Sequence, residues 1–253
     1  MPSLSRLGPR ELIALEDRYA DQLVTSAAEA GFSTIIAQTP RAWVDLNRAE
    51  NEYDPGLVSG GHTGHPVTTA KVRGGLGIIP RRIPVSGDIW RASIQAEAFE
   101  ARLAQHYRPY HVAVKTMLAA SLRDFGVAIL IDVHSMPPLP FRHGEVPAKM
   151  VIGDLWGKSA DRQFTAVARR VAQAVGIKVA ENEPYAGGHI LERHASKARG
   201  IHALQIELDR SLYLDDAHDQ TSDDLGVMQA LILELAKTMS SAALSTTRAI
   251  AAE

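Results

Sequence analysis

The sequence predicts an α/β sandwich with a mixed or largely parallel sheet, and two observations carry that prediction. Apolar runs of strand length alternate along the chain with amphipathic helical patterns, the signature of helices packed on a sheet. The best run, "AILI" at 128–131, breaks off into Asp132, Val133, His134, Ser135 and a proline pair. Open α/β sheets collect ligands beyond the carboxyl ends of their strands. A chain of 253 residues, 45% hydrophobic and 22% charged, suits one large domain spanning 1–253, with no repeat or low-complexity segment.

Taken in order, residues 9–30 read as a helix. Pro9 suits its first turn, Leu12, Leu15, Tyr19 and Leu23 recur at threes and fours, and Gly31 suits the stop. "FSTIIAQT" (32–39) reads as a strand. Residues 40–90 are dense in glycine and proline, and a loop region this long inside a compact domain is more often functional than idle. Ser93 is placed to cap a long helix running to about Phe125, which Pro109 should kink or break. The strand at 127–134 follows, then a helix over 161–175 closed by Gly176, and the short strand "IKVAENE". "HALQIELDR" (202–210) reads as a further strand. A final helix over 223–239 turns Leu225, Met228, Leu231, Ile232 and Leu235 inward.

Composition narrows the function classes. With 27 basic against 29 acidic residues the formal charge is −2, so neither nucleic acid nor an anionic membrane is an expected partner. The absence of cysteine excludes disulfides, cysteine zinc sites and thiol nucleophiles, and it fits a reducing compartment. No secretory signal pattern opens the chain, and no run approaches the ~18 apolar residues of a membrane span. The expectation is a cytoplasmic protein with a small-molecule ligand. Oligomeric state stays open, a homo-oligomer included.

Four segments concentrate chemistry. In "DVHS", Asp132 and His134 are two apart on an extended chain and point the same way, so the acid can orient the imidazole or share its ligand. An ordinary strand-end histidine is the alternative. In "PRAWVDLNR" (40–48), Arg41, Asp45, Asn47 and Arg48 crowd together; two guanidinium groups suit bidentate carboxylate binding, with Asp45 holding one in place. In "QIELDR" (205–210), Glu207 sits among Leu204, Ile206 and Leu208, where burial would raise its pKa toward that of a general base; a strand acid paired with Arg210 or another cation is the equal alternative. In "YAGGHI" (185–190), Gly187 and Gly188 permit a tight turn and close backbone approach to a ligand, with His189 directly after. Asp17 and Asp21 of "EDRYAD" are four apart, which on a helix is most simply a solvated face.

Together these segments resemble the N-formylglutamate amidohydrolase family. The matching stretches, in order, are "LEDRYADQL", "TPRAWVDLNRAENEYDP", "RPYH", "LIDVHSMP", "ENEPYAGGHI" and "HALQIELDRSLYLDD", running from about residue 15 to 216. The resemblance implies a three-layer sandwich with a mixed central sheet flanked by helices, similar to zinc carboxypeptidases. It also implies metal-assisted hydrolysis of N-formyl-L-glutamate to formate and L-glutamate, a last step in one route of histidine breakdown. Carried onto the matching positions, it implies that Asp17 and His134 are zinc ligands and that Glu207 is the general base. Arg41 and Arg48 would bind the substrate's carboxylates, Asn47, Gly187, Gly188 and His189 would line the pocket, and Asp132 and Asp45 would support them. Zinc suits such chemistry because it lowers the pKa of bound water to roughly 7 and polarises a carbonyl.

The pattern departs from the family at one point. Members carry an earlier strand ending in Pro-His-Ser/Ala-Gly, whose histidine is a further zinc ligand. The chain opens at "MPSLSRLGPREL" and that motif does not occur; His62 and His65 of "GHTGHP" follow "DLNR", out of order. The expectation is a chain lacking the family's first strand, by truncation or as a divergent member with a rebuilt metal site. Two alternatives stand beside the deformylase reading: hydrolysis of another N-acyl amino acid, and a metal-free protein that keeps the pocket for an acidic ligand.

Overall fold

The structure is a computed structural model and describes residues 4–60, 64–141 and 144–251, with side chains through Ser245. In chain order its helices are α1 (Pro9–Leu12), α2 (Ala20–Leu23), α3 (Thr25–Glu29), α4 (Ala70–Arg73), α5 (Ala96–Arg102), α6 (Arg108–Phe125), α7 (Arg162–Ala174), α8 (His189–His194) and α9 (Leu225–Ala251). Its strands are β1 (Val58–Ser59), β2 (Arg82–Ile83), β3 (Gly87–Asp88), β4 (Ile94–Gln95), β5 (Ala128–Met136), β6 (Met150–Gly153), β7 (Val179–Glu181) and β8 (Ile201–Asp209). They fall into two compact units, one made of Met1–Glu16 and Ala37–Ala113, the other of Asp17–Ile36 and Val114–Glu253.

The second unit holds a four-stranded sheet in the order β5-β8-β6-β7. β5 runs parallel to β8 and β6 parallel to β7, while β8 and β6 are antiparallel, so the sheet is mixed as the alternation of strands and helices predicts. Every residue of β8 is buried, and alternation splits the strand into two unlike faces. Leu204, Ile206 and Leu208 join Ile129, Ile131 and Val133 of β5 and Met150 and Ile152 of β6 in one apolar core. Helix α7 covers that core with Phe164, Val167, Ala168 and Val171, an i, i+3, i+4, i+7 stripe, and α9 adds Met228, Leu231, Ile232, Leu235 and Met239. Each large side chain buried there contributes about 1.5–3 kcal/mol. By length and composition Leu225–Ser245 is apolar enough to cross a membrane, contrary to the absence expected from the sequence, but this stripe lies in the core.

The first unit carries little regular structure across 40–90, as its glycines and prolines predict. β1 pairs with β4 in parallel, and β2 with β3 in antiparallel. Around them Tyr53, Ile78, Ile79, Ile89, Trp90, Phe99, Leu103 and Tyr107 form its core. Arg102 is buried there too, its Cζ 3.5 Å from the centre of the Trp43 ring and 4.7 Å from that of Trp90. Burial brings its pKa down to about 10.

Several expectations are corrected. The helix over 9–30 is broken: after α1 and a 3₁₀ turn the chain becomes extended at Glu16 and left-handed at Tyr19 (φ 55°) before α2 begins. The regular spacing misleads because Leu12 and Leu15 belong to the core of the first unit, while Tyr19 and Leu23 belong to that of the second. "FSTIIAQT" forms no strand; it is mostly exposed, and among the described residues no strand pairs with it. Pro109 does not break the long helix. It cannot donate to the carbonyl of Gln105, and a π turn over Leu103–Tyr107, closed by Arg108 N–H on the Leu103 carbonyl, absorbs the disturbance just ahead of it. The helix starts after Gln95 rather than Ser93. β6 falls where the sequence suggests only loop, its four buried residues being too few to show a period.

Candidate active site

The polar face of the second unit's sheet is built by register. The β5–β8 ladder pairs Asp132 with Gln205 and His134 with Glu207, so these four side chains stand on one face, opposite the apolar core. His134 is 8% exposed. Its Nδ1 lies 3.0 Å from Asp17 Oδ2 and its Nε2 lies 2.9 Å from Asp132 Oδ2. Burial pushes the imidazole pKa down, but the two carboxylates outweigh it and hold the pKa well above 6.5. The ring is therefore an imidazolium that donates to both acids. Asp17 reaches it from the break between α1 and α2, where its Oδ1 also accepts from the Ser135 N–H at 3.2 Å. That role replaces the solvated helix face read from the local sequence.

Glu207 is likewise 8% exposed and accepts a 2.7 Å hydrogen bond on Oε1 from Gln205 Nε2. Around this face stand groups that the sequence did not single out. Burial and the carboxylates of Glu207 and Asp17 raise the pKa of Tyr185, outweighing Arg210, so its phenol stays protonated. Burial, with Arg193 and His189 nearby, lowers His194 to about 4, so it stays neutral. Arg210 donates from Nε to Ser135 Oγ at 3.1 Å. Gln205 was findable, being two residues before Glu207 and hence on its face. Tyr185 opens "YAGGHI", and no local pattern marks His194.

The 185–188 segment packs onto this face through Gly153 of β6, which pairs with Gln205. A Cβ on Gly153 would lie 2.6 Å from the Ala186 carbonyl carbon and 2.7 Å from the Gly187 nitrogen. Gly187 has φ 119° and a Cβ there would meet Leu191 at 2.7 Å, so glycine is required. Gly188 is extended (φ −133°, ψ −166°) and serves as the cap of α8, so only one of the two predicted glycines makes a left-handed turn. His189 Nδ1 lies 3.9 Å from Glu192 Oε2. Gly153→Ala is expected to displace the segment and cost about 1–3 kcal/mol of stability, as overpacking does. Urea denaturation with an unchanged midpoint would contradict that packing.

Within the first unit, Arg41, Asp45, Asn47 and Arg48 do cluster. Asp45 is 4% exposed and lies 3.9 Å from Arg41 Nε and 3.7 Å from Arg48 Nη2, and its Oδ1 accepts the Asn47 N–H at 2.9 Å. It thus serves both arginines, where one was expected. Arg48 is held further by Nε on the Leu76 carbonyl at 3.0 Å. His62 lies outside the described residues, and His65 is exposed.

The donor set fits a metal in part. Two ligands of a tetrahedral zinc, each at about 2.0–2.1 Å, lie roughly 3.3 Å apart. The 3.0 Å between Asp17 Oδ2 and His134 Nδ1 fits one such edge, and Asp132 on Nε2 is the outer partner that metal-bound histidines have. Among the described residues, no group of three or more His, Asp or Glu is arranged to hold a metal ion. The pair fits; a third ligand is not among them.

Comparison with known proteins identifies the family. The family model for N-formylglutamate amidohydrolase matches residues 2–214. The N-formylglutamate deformylase of Pseudomonas putida is 30% identical over 223 residues, covering 86% of this chain and 78% of that protein. The N-formylglutamate deformylase of Pseudomonas aeruginosa is 30% identical over 206 residues, covering 79% and 71%. The fold is shared with the crystal structure of N-formylglutamate amidohydrolase from Ralstonia eutropha JMP134, at a TM-score of 0.86 and 24% identity over 97% of this chain and 88% of that one. A match across most of the chain, taking in both arginine-bearing and histidine-bearing segments, leaves a plain conclusion: this chain belongs to the N-formylglutamate amidohydrolase family.

Proposed function

We propose that the protein hydrolyses N-formyl-L-glutamate to formate and L-glutamate. The observation that carries the reading is the buried Glu207 paired in register with a His134 clasped between Asp17 and Asp132. Its context is the family membership and the deformylase names of the two Pseudomonas relatives. In this reading Glu207 takes a proton from water as the oxygen attacks the formyl carbon. It then delivers that proton to the amide nitrogen as the C–N bond breaks, releasing formate and the free amine. Gln205 holds the carboxylate in place through Oε1. Tyr185, kept protonated, donates a hydrogen bond on the same face. Arg41 and Arg48 bind the substrate's carboxylates, a role that suits their fixed guanidinium groups.

Zinc belongs to the same proposal, held by Asp17 and His134, and when bound it supplies Lewis-acid polarisation of the formyl carbonyl. The reading further includes a single amidohydrolase domain, a three-layer sandwich like that of zinc carboxypeptidases, and action in the cytoplasm. The test is direct: metal-replete protein should release formate from N-formylglutamate, and a chelator should abolish the release. Metal-replete protein inactive on every N-acyl amino acid would sink the proposal. A second reading, a metal-free protein binding an acidic ligand, draws on the two-ligand donor set among the described residues. Stoichiometric zinc in the purified protein would rule against it.

A further inference from the structure

The first unit contains a cleft of about 410 Å³ whose lining includes Arg6, Arg81, Asp88, Trp90, Arg91 and Ser93. We propose that this cleft binds a small dianion, a phosphate ester or a dicarboxylate, whose paired anionic oxygens two guanidinium groups can grip. The inference does not rest on the proposed hydrolysis. Three arginines against one aspartate leave the lining at +2. Two of those arginines flank one backbone bridge on the diagonal: Ser5 pairs with Trp90 in antiparallel fashion, with Arg6 N–H on the Ile89 carbonyl at 2.7 Å and Arg91 N–H on the Leu4 carbonyl at 3.1 Å.

Their side chains are then anchored on main-chain carbonyls. Arg6 donates from Nε to Trp90 O at 2.9 Å, and Arg91 donates from Nε to Ser5 O at 2.9 Å. Neither has a carboxylate within ion-pair distance among the described residues. The other lining arginine, Arg81, does, with Asp54 Oδ2 at 2.9 Å and Asp88 Oδ1 at 3.9 Å. Anchoring through Nε, with Arg6 Nη2 also 3.5 Å from the Arg91 carbonyl, holds both guanidinium groups at the cleft, and a planar fork can grip phosphate or carboxylate bidentately. Trp90 gives a rigid wall, being 6% exposed and held by its indole N–H on the Pro80 carbonyl at 2.7 Å. Two like charges held together with no counter-ion are most simply explained by a ligand that supplies one, and a cleft of this volume is in the range of small-molecule sites.

Calorimetric titration of the full chain with inorganic phosphate and with succinate tests this. One or both should bind, the active probe naming the ligand class. The Arg6→Gln/Arg91→Gln pair should weaken binding at least tenfold, while its far-ultraviolet circular dichroism stays unchanged, and Asp88→Asn should tighten binding severalfold. Should the double variant fail to fold, Arg91→Lys keeps the charge, loses the fork, and should weaken binding severalfold. No heat with either probe, or an affinity unmoved by these substitutions, would overturn the proposal.

Discussion

Glu207→Gln is expected to lower kcat by about 10²–10⁴-fold, the range that a positioned acid–base group supplies, with KM changed only a few-fold. The substitution removes the proton acceptor while keeping the side chain's shape. The amide keeps the volume of the buried side chain, and its carbonyl oxygen can still accept from Gln205 Nε2, which lies 2.7 Å from Glu207 Oε1 in the native protein. An unaltered thermal transition should accompany the loss. Because the amide cannot carry the proton from water to the leaving nitrogen, the loss should fall on kcat rather than on substrate binding. Steady-state formate release settles the matter: a variant retaining a tenth of the wild-type kcat would remove Glu207 from the role of base.

His134→Ala should be the most destabilising single change on this face. In the chelator-treated protein, the imidazolium is the cation shared by Asp17 and Asp132, whose side chains are 17% and 11% exposed. Removing one member of a buried ionic set leaves the rest uncompensated and costs about 3–5 kcal/mol. In a chain of this size that is a fall in Tm on the order of 10 °C. Asp17 would keep its hydrogen bond from the Ser135 N–H at 3.2 Å but lose the cation it faces. Asp132→Asn should cost less, because an amide oxygen still accepts from Nε2 and Asp17 still balances the ring. Differential scanning calorimetry of both variants separates the outcomes. Equal and small shifts would mean that His134 carries no charge in the folded protein.

Much of this site was legible because its parts are local. Alternation along a strand is covalent geometry, so the sequence alone sets Asp132 beside His134 and Glu207 beside Gln205 on single faces of their strands. The apolar residues between them, Ile131, Val133, Leu204, Ile206 and Leu208, likewise assign the opposite face to a core. Amphipathic stripes on α7 and α9, and the glycines and prolines of 40–90, are legible for the same reason. The cluster of Arg41, Asp45, Asn47 and Arg48 lies within eight residues, so proximity along the chain was itself the signal.

Local spacing misleads where two distant segments compete for the same residues. The threes-and-fours spacing from Leu12 to Leu23 describes a helix that does not form, because its halves are claimed by different cores, and the break is what frees Asp17 to reach His134. No local pattern announces that. Nor does any local pattern reveal that Gly153 must lack a side chain because the Ala186–Gly187 backbone lies against it. By itself, then, the sequence determined the family, the strands β5, β7 and β8, and which side chains share a face of β5 and of β8. Only the tertiary structure decided that β5 and β8 run parallel in the one register that sets His134 against Glu207, and that a broken helix supplies the acid. Faces follow from the geometry of a single chain segment, whereas register and close approach follow from the packing of segments far apart in the chain.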